Sequence, residues 1–103
     1  MDNLIKGTTP TFQFTFDVID PFDITSAYLT VKQGGAIVLE KDISSAVVGD
    51  GTISWQLTQY DTLHFSLGKI TVMLNWLTEN GIRGATPEKV ILVEDNHKDE
   101  VIG

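Results

Sequence analysis

Three aspartates, Asp17, Asp20 and Asp23, recur within one short stretch, and oxygen ligands that close together could hold calcium. An EF-hand loop needs Asp-x-Asp-x-Asp-Gly and a later glutamate, whereas Pro21 and Phe22 occupy the middle here. Asp-Pro opens turns, and aspartate side chains bond the backbone N–H groups that follow, so the spacing predicts turn-capping residues instead of a metal site. Gly49-Asp50-Gly51 lacks the Lys-Ser/Thr pair and the following helix of a phosphate loop and reads as a turn. His64 and His97 are the two histidines, and His97 could be drawn into a Ser-His-Asp arrangement with Asp95 or Asp99. No Gly-x-Ser-x-Gly elbow is present, and His97 lies in a stretch without periodicity that would not hold it to hydrogen-bond tolerance. A pair of carboxylates for glycoside hydrolysis can be picked from fourteen, and so free a choice carries no weight. The expectation is a protein that is not an enzyme, with no catalytic residue, no cofactor and no metal.

Trp55, Trp76, Tyr28, Tyr60 and Phe65 could form a platform for sugars. Trp55 and Trp76 share the phase of the apolar residues around them, which assigns them to the core. Tyr28 falls on the opposite phase and is the candidate for an interface or a ligand. The other interface candidates are Val101 and Ile102, which follow the acidic run Asp99-Glu100 and could latch onto a neighbouring subunit by strand addition.

These residues must be positioned by strands. Lys69–Leu77 is the longest segment of strand composition, with Ile70, Val72, Leu74 and Trp76 on one face and Thr71, Met73, Asn75 and Leu77 on the other, which suits the middle of a sheet. Residues 1–10 read as a lead-in ending at Pro10. Thr11–Phe16 alternates polar and Phe, Ile24–Gln33 places Ala27, Leu29 and Val31 opposite Tyr28, Thr30 and Lys32, and Gly34-Gly35 turns the chain into a hairpin with Ala36–Lys41. Asp42–Val48 fits either a loop or a short edge strand. Thr52–Leu57 alternates again, Thr58 with Asp61 forms a capping-box pattern for a helix of one or two turns, Asn80-Gly81 turns the long strand back, and Lys89–Val93 is the last strand. The pattern predicts an all-β fold of about seven strands, a single Ig-like antiparallel β-sandwich or else a small barrel, with one short helical crossover near residues 58–63. The sandwich is expected over residues 1–94, followed by an acidic and then apolar C-terminal tail over 95–103 that is mobile by itself.

A chain of 103 residues suffices for one domain with one core. Its net charge of −7 opposes a phosphate backbone, so no nucleic acid is expected, and the same repulsion argues against anionic membrane surfaces. Without cysteine there is no disulfide and no thiolate chemistry. No signal peptide and no apolar run of roughly 18 residues is visible, so the product is expected to be made in the cytoplasm and to stay there unless assembly or lysis carries it out.

Four segments together resemble a group of small proteins encoded among the tail and baseplate genes of phages and prophages of Gram-positive bacteria. They are Ile5-Lys6-Gly7-Thr8-Thr9-Pro10, Tyr28-Leu29-Thr30-Val31-Lys32-Gln33, Ser54-Trp55-Gln56-Leu57-Thr58-Gln59 with Thr62-Leu63, and Glu94-Asp95-Asn96-His97-Lys98-Asp99-Glu100-Val101-Ile102. The domain is also similar to the N-terminal anchoring domain of baseplate upper proteins, whose stalk and receptor-binding regions have no counterpart here. The resemblance implies a virion structural or adaptor protein that contacts other virion proteins and forms homo-oligomers in place. The alternative is a carbohydrate- or host-surface-binding β-sandwich module.

Overall fold

The computed structural model describes residues 2–103. Among the described residues nine strands and one α-helix follow in the order β1 (Asn3–Ile5), β2 (Thr11–Thr15), β3 (Ile24–Gln33), β4 (Ala36–Asp42), β5 (Val47–Gly49), β6 (Thr52–Gln56), α1 (Gln59–Leu63), β7 (Gly68–Thr78), β8 (Arg83–Ala85) and β9 (Lys89–Glu94). The larger sheet runs β1-β9-β7-β3-β4, with β8 also on β7, and the smaller runs β2-β6-β5. The chain is thus an all-β sandwich of immunoglobulin-like architecture. Its thin dimension of 19 Å fits two sheets packed about 10 Å apart with side chains outside them.

The strand expected at the centre is there: β7 pairs with β3 along one side and with β9 and β8 along the other. In antiparallel register, residues directly opposite share a face, and Leu29 meets Leu74, Val31 meets Val72 and Ala27 meets Trp76. This inward set packs with Phe12, Ile53, Trp55 and Leu57 from the smaller sheet and its exit, and with Ile91, Val93 and Leu4 from the far side of the larger one. The β3–β4 hairpin turns at Gly34 and Gly35 with φ of +61° and +83°, a pair of left-handed conformations that side chains resist.

Two features depart from the expectation. The lead-in contains a strand, β1, and it pairs parallel to β9, so the larger sheet is mixed instead of purely antiparallel. A three-residue strand has too little alternation to announce itself, and β1 exists because Leu4 opposite Val93 completes the core. The ambiguous stretch 42–48 resolves into a 3-10 turn at Ile43–Ser45 and the short edge strand β5, which brings the count to nine against about seven.

Trp55 is 1% exposed and donates its indole N–H to the Asp42 carbonyl at 2.9 Å, tying the smaller sheet to the outer strand of the larger. Trp76 is half-buried, meets Phe16 edge to face at 5.1 Å, and packs its indole ring against Gly84. A Cβ at Gly84 would stand 2.3 Å from Trp76 Cζ2, so the ring reserves that position for glycine.

The expected capping box is present. Thr58 Oγ1 accepts from the Asp61 N–H at 3.1 Å, and Asp61 Oδ2 accepts from the Thr58 N–H at 2.9 Å. Lys41 Nζ, from β4, reaches Asp61 Oδ2 at 3.1 Å and anchors the crossover to the sheet edge. Burial raises the Asp61 carboxyl, but the Thr58 N–H, the Lys41 ammonium and the Thr58 hydroxyl together outweigh it and hold the group below its ordinary value.

Gly84→Ala is expected to lower the unfolding free energy by about 1–3 kcal/mol in urea denaturation, because overpacking displaces the Trp76 ring. In a Trp76→Leu background the same change should cost much less; an equal cost in both would show that the ring contact is not the cause. The depressed Asp61 group contributes stability that is complete above its ordinary value of 3.8 and is lost as pH falls through its lower folded value. Thermal melts of wild type and Asp61→Asn should therefore differ at neutral pH and converge toward about pH 2. A constant gap would contradict the ion-pair account.

Candidate functional site

The residues considered for chemistry are mostly occupied in turns. Asp20 Oδ1 accepts from the Phe22 N–H at 3.0 Å, and the Asp23 carbonyl accepts from Glu79 N–H at 2.9 Å, so this stretch caps the 3-10 turn that feeds β3. His64 Nδ1 sits 2.5 Å from the Tyr60 carbonyl at the end of α1. Gly49-Asp50-Gly51 joins β5 to β6. Asp42 is held low chiefly by the Ser44 hydroxyl and then by the Ser44 N–H, as expected for a side chain that caps the following turn. Among the described residues no group of three or more His, Asp or Glu side chains is placed to share a metal ion.

The surface candidates separate into two places. Tyr28 is 47% exposed on the outer face of the larger sheet, opposite Asn75. It borders a shallow depression of about 340 Å³ with Ser26, Asn75, Leu77 and Arg83, and Arg83 Nη2 donates to Asn75 Oδ1 at 3.4 Å. Ile102 lies instead beside α1, with Val101 preceding it in the chain. Ile102 N–H donates to Gln59 Oε1 at 2.8 Å, and Gln59 Nε2 donates back to the Ile102 carbonyl at 3.0 Å. The Gln59 amide thus pairs with one residue as a neighbouring strand would, and segment 95–103, expected to be mobile by itself, is docked on its own domain. Asn96 Nδ2 adds a second tether to the Lys6 carbonyl at 2.9 Å. The apolar end is nonetheless not consumed, because Val101 is half-buried and Ile102 is 68% exposed.

A third surface escaped the sequence reading. In the β2–β6 ladder, Phe16 N–H bonds Gly51 and Leu57 N–H bonds Pro10, which makes the even-numbered residues of β2 the hydrogen-bonded set. The N–H and C=O groups of Thr11, Gln13 and Thr15 therefore point away from β6, along an edge that pairs with no strand among the described residues. Beside that edge runs a groove of about 270 Å³ lined by Phe12, Phe14, Val72, Ile91 and Lys89. Its floor is apolar, and Lys89 is its charged group. The signal in the sequence was the alternation of Thr11–Phe16, but which side of a strand stays unpaired is decided by strand order.

No family model matches the chain, and no curated protein matches it. Among solved structures, a Bacteroides vulgatus ATCC 8482 protein provisionally described as a glycoside hydrolase superposes with a TM-score of 0.55 at 16% identity, over 95% of this chain and 17% of that one. Murine CRIg superposes with a TM-score of 0.44 at 14% identity, over 91% of this chain and 90% of that one. The chain spans 17% of the length of the first of these, and at such identity the likeness shows the fold and nothing of activity or ligand.

Proposed function

We propose that this domain is a structural or adaptor protein of a phage or prophage virion, associated with the tail or baseplate, and that it acts through protein–protein contacts. The observation that carries this reading is the set of unpaired strand edges, above all the β2 edge with its apolar groove. Free edges recruit further strands, and a protein that leaves one beside an open groove is suited to being completed by another chain. The exposed apolar side chains of Ile102 and Tyr28 supply additional contact area. The resemblance of the four sequence segments to tail and baseplate proteins names the setting. In that setting its partners are other virion proteins and copies of itself.

The depression at Tyr28 favours a second reading, a carbohydrate- or host-surface-binding module, because an aromatic ring beside an arginine and an asparagine can both stack on and hydrogen-bond a sugar. Mass spectrometry of purified particles from the induced source strain separates the two. The structural role predicts the polypeptide at stoichiometric level. Its absence would overturn that role, and a titration with cell-wall glycans followed by tryptophan emission would then test the second.

A further inference from the structure

We infer that the β2 edge and its groove are the acceptor for segment 97–103 of a second copy of this chain, added as an extra strand to the smaller sheet. This deepens the assembly reading above and rests on it. Three observations select this occupant. The acceptor offers the outward N–H and C=O groups of Thr11, Gln13 and Thr15, so an extended segment can continue the ladder. The groove is apolar, floored by Phe12, Phe14, Val72 and Ile91, with Lys89 on its wall in a chain of net charge −7. The donor carries a usable pattern: of Lys98, Glu100 and Ile102, which share one side of an extended strand, Glu100 supplies a carboxylate for Lys89 and Ile102 an apolar side chain for the floor.

The present partners of both ends are replaceable. Lys89 faces Asp2 at 3.9 Å across solvent, and Glu100 meets Lys98 at 3.5 Å with both side chains well exposed. Such pairs contribute little. In its own domain Ile102 keeps two hydrogen bonds to Gln59 but leaves its side chain in water, so transfer exchanges those bonds for ladder bonds and adds apolar burial. Gln59 is therefore the internal competitor that holds the segment until a neighbour offers its edge. The contact is head-to-tail, and it closes either as a reciprocal pair or as a ring.

The test is sedimentation velocity of the full chain between about 10 μM and 1 mM, where a small, weak contact becomes populated. The wild type should self-associate with concentration. Ile102→Asp and Gln13→Pro should each weaken association by at least roughly tenfold, the second because proline removes an outward N–H while the β6 ladder stays whole. Lys89→Glu should weaken it similarly, and Lys89→Glu combined with Glu100→Lys should restore it. Gln59→Ala, by freeing the segment, should shift association to lower concentration, which a merely structural role would not do.

A wild type that stays monomeric at 1 mM overturns the inference. So does association that survives Ile102→Asp, which would assign the groove to another occupant. If Gln13→Pro does not fold, the charge swap decides alone, and failure of the double substitution to rescue overturns the inference. A monomeric protein found stoichiometrically in particles would overturn this inference and leave the structural role standing, whereas a self-associating protein absent from particles would do the reverse.

Discussion

The pairing of β3 with β7 sets the rest of this sandwich. Leu29 against Leu74 and Val31 against Val72 place four fully or nearly fully buried side chains on one face of the two central strands. Each contributes roughly 1.5–3 kcal/mol by leaving water. A slip of one residue would send Tyr28, Thr30 and Lys32 into the core, so the register is held by the cost of the alternative as much as by the bonds themselves. From that floor the smaller sheet takes its position. Trp55 and Phe14 meet edge to face at 6.1 Å above it, and the Trp55 indole bonds the end of β4. The crossover helix then closes the end where Leu4, Phe65 and Val93 are buried, with the buried Thr62 hydroxyl donating to the Thr8 carbonyl at 2.8 Å.

The unequal width of the two layers has a consequence for function. Five strands lie side by side in the larger sheet and three in the smaller, so the smaller cannot roof the whole floor. Near α1 the shortfall is filled by the helix and Phe65. At the other end of β9 it is not filled, and the groove beside β2 is what remains. A monomer usually blunts such an edge with a charge, a bulge or a proline. Here Pro10 stands just before β2, and Thr11, Gln13 and Thr15 leave the edge itself uncharged. The same unevenness that makes the domain incomplete as a sandwich makes it suitable as a subunit.

Much of the fold was legible because local pattern and tertiary role agree. The alternation in Thr11–Phe16 and Ile24–Gln33, the Gly34-Gly35 turn, the Thr58–Asp61 capping box and the two-sided strand at Lys69–Leu77 each state their outcome in a few residues. What was not legible depends on strand order. The strand Asn3–Ile5 has no pattern of its own and forms only because β9 is there to receive it. Gln59 gives no hint in the sequence that its amide will mimic a strand for Ile102, since that depends on where segment 95–103 runs. Lys89 reads as an ordinary strand-opening lysine until Phe12, Phe14 and Ile91 are seen beside it. Tyr28 was placed correctly on the outer face, yet Val101 and Ile102 lie on a different element and form no common surface with it.

Amide hydrogen exchange, compared between the free domain and the same polypeptide in purified particles, tests whether the β2 edge is where this domain meets its neighbours. The amides of Thr11, Gln13 and Thr15 should exchange rapidly in the free domain and slowly in particles, while those of β7 are protected in both. Equally fast exchange of the three edge amides in particles would contradict it.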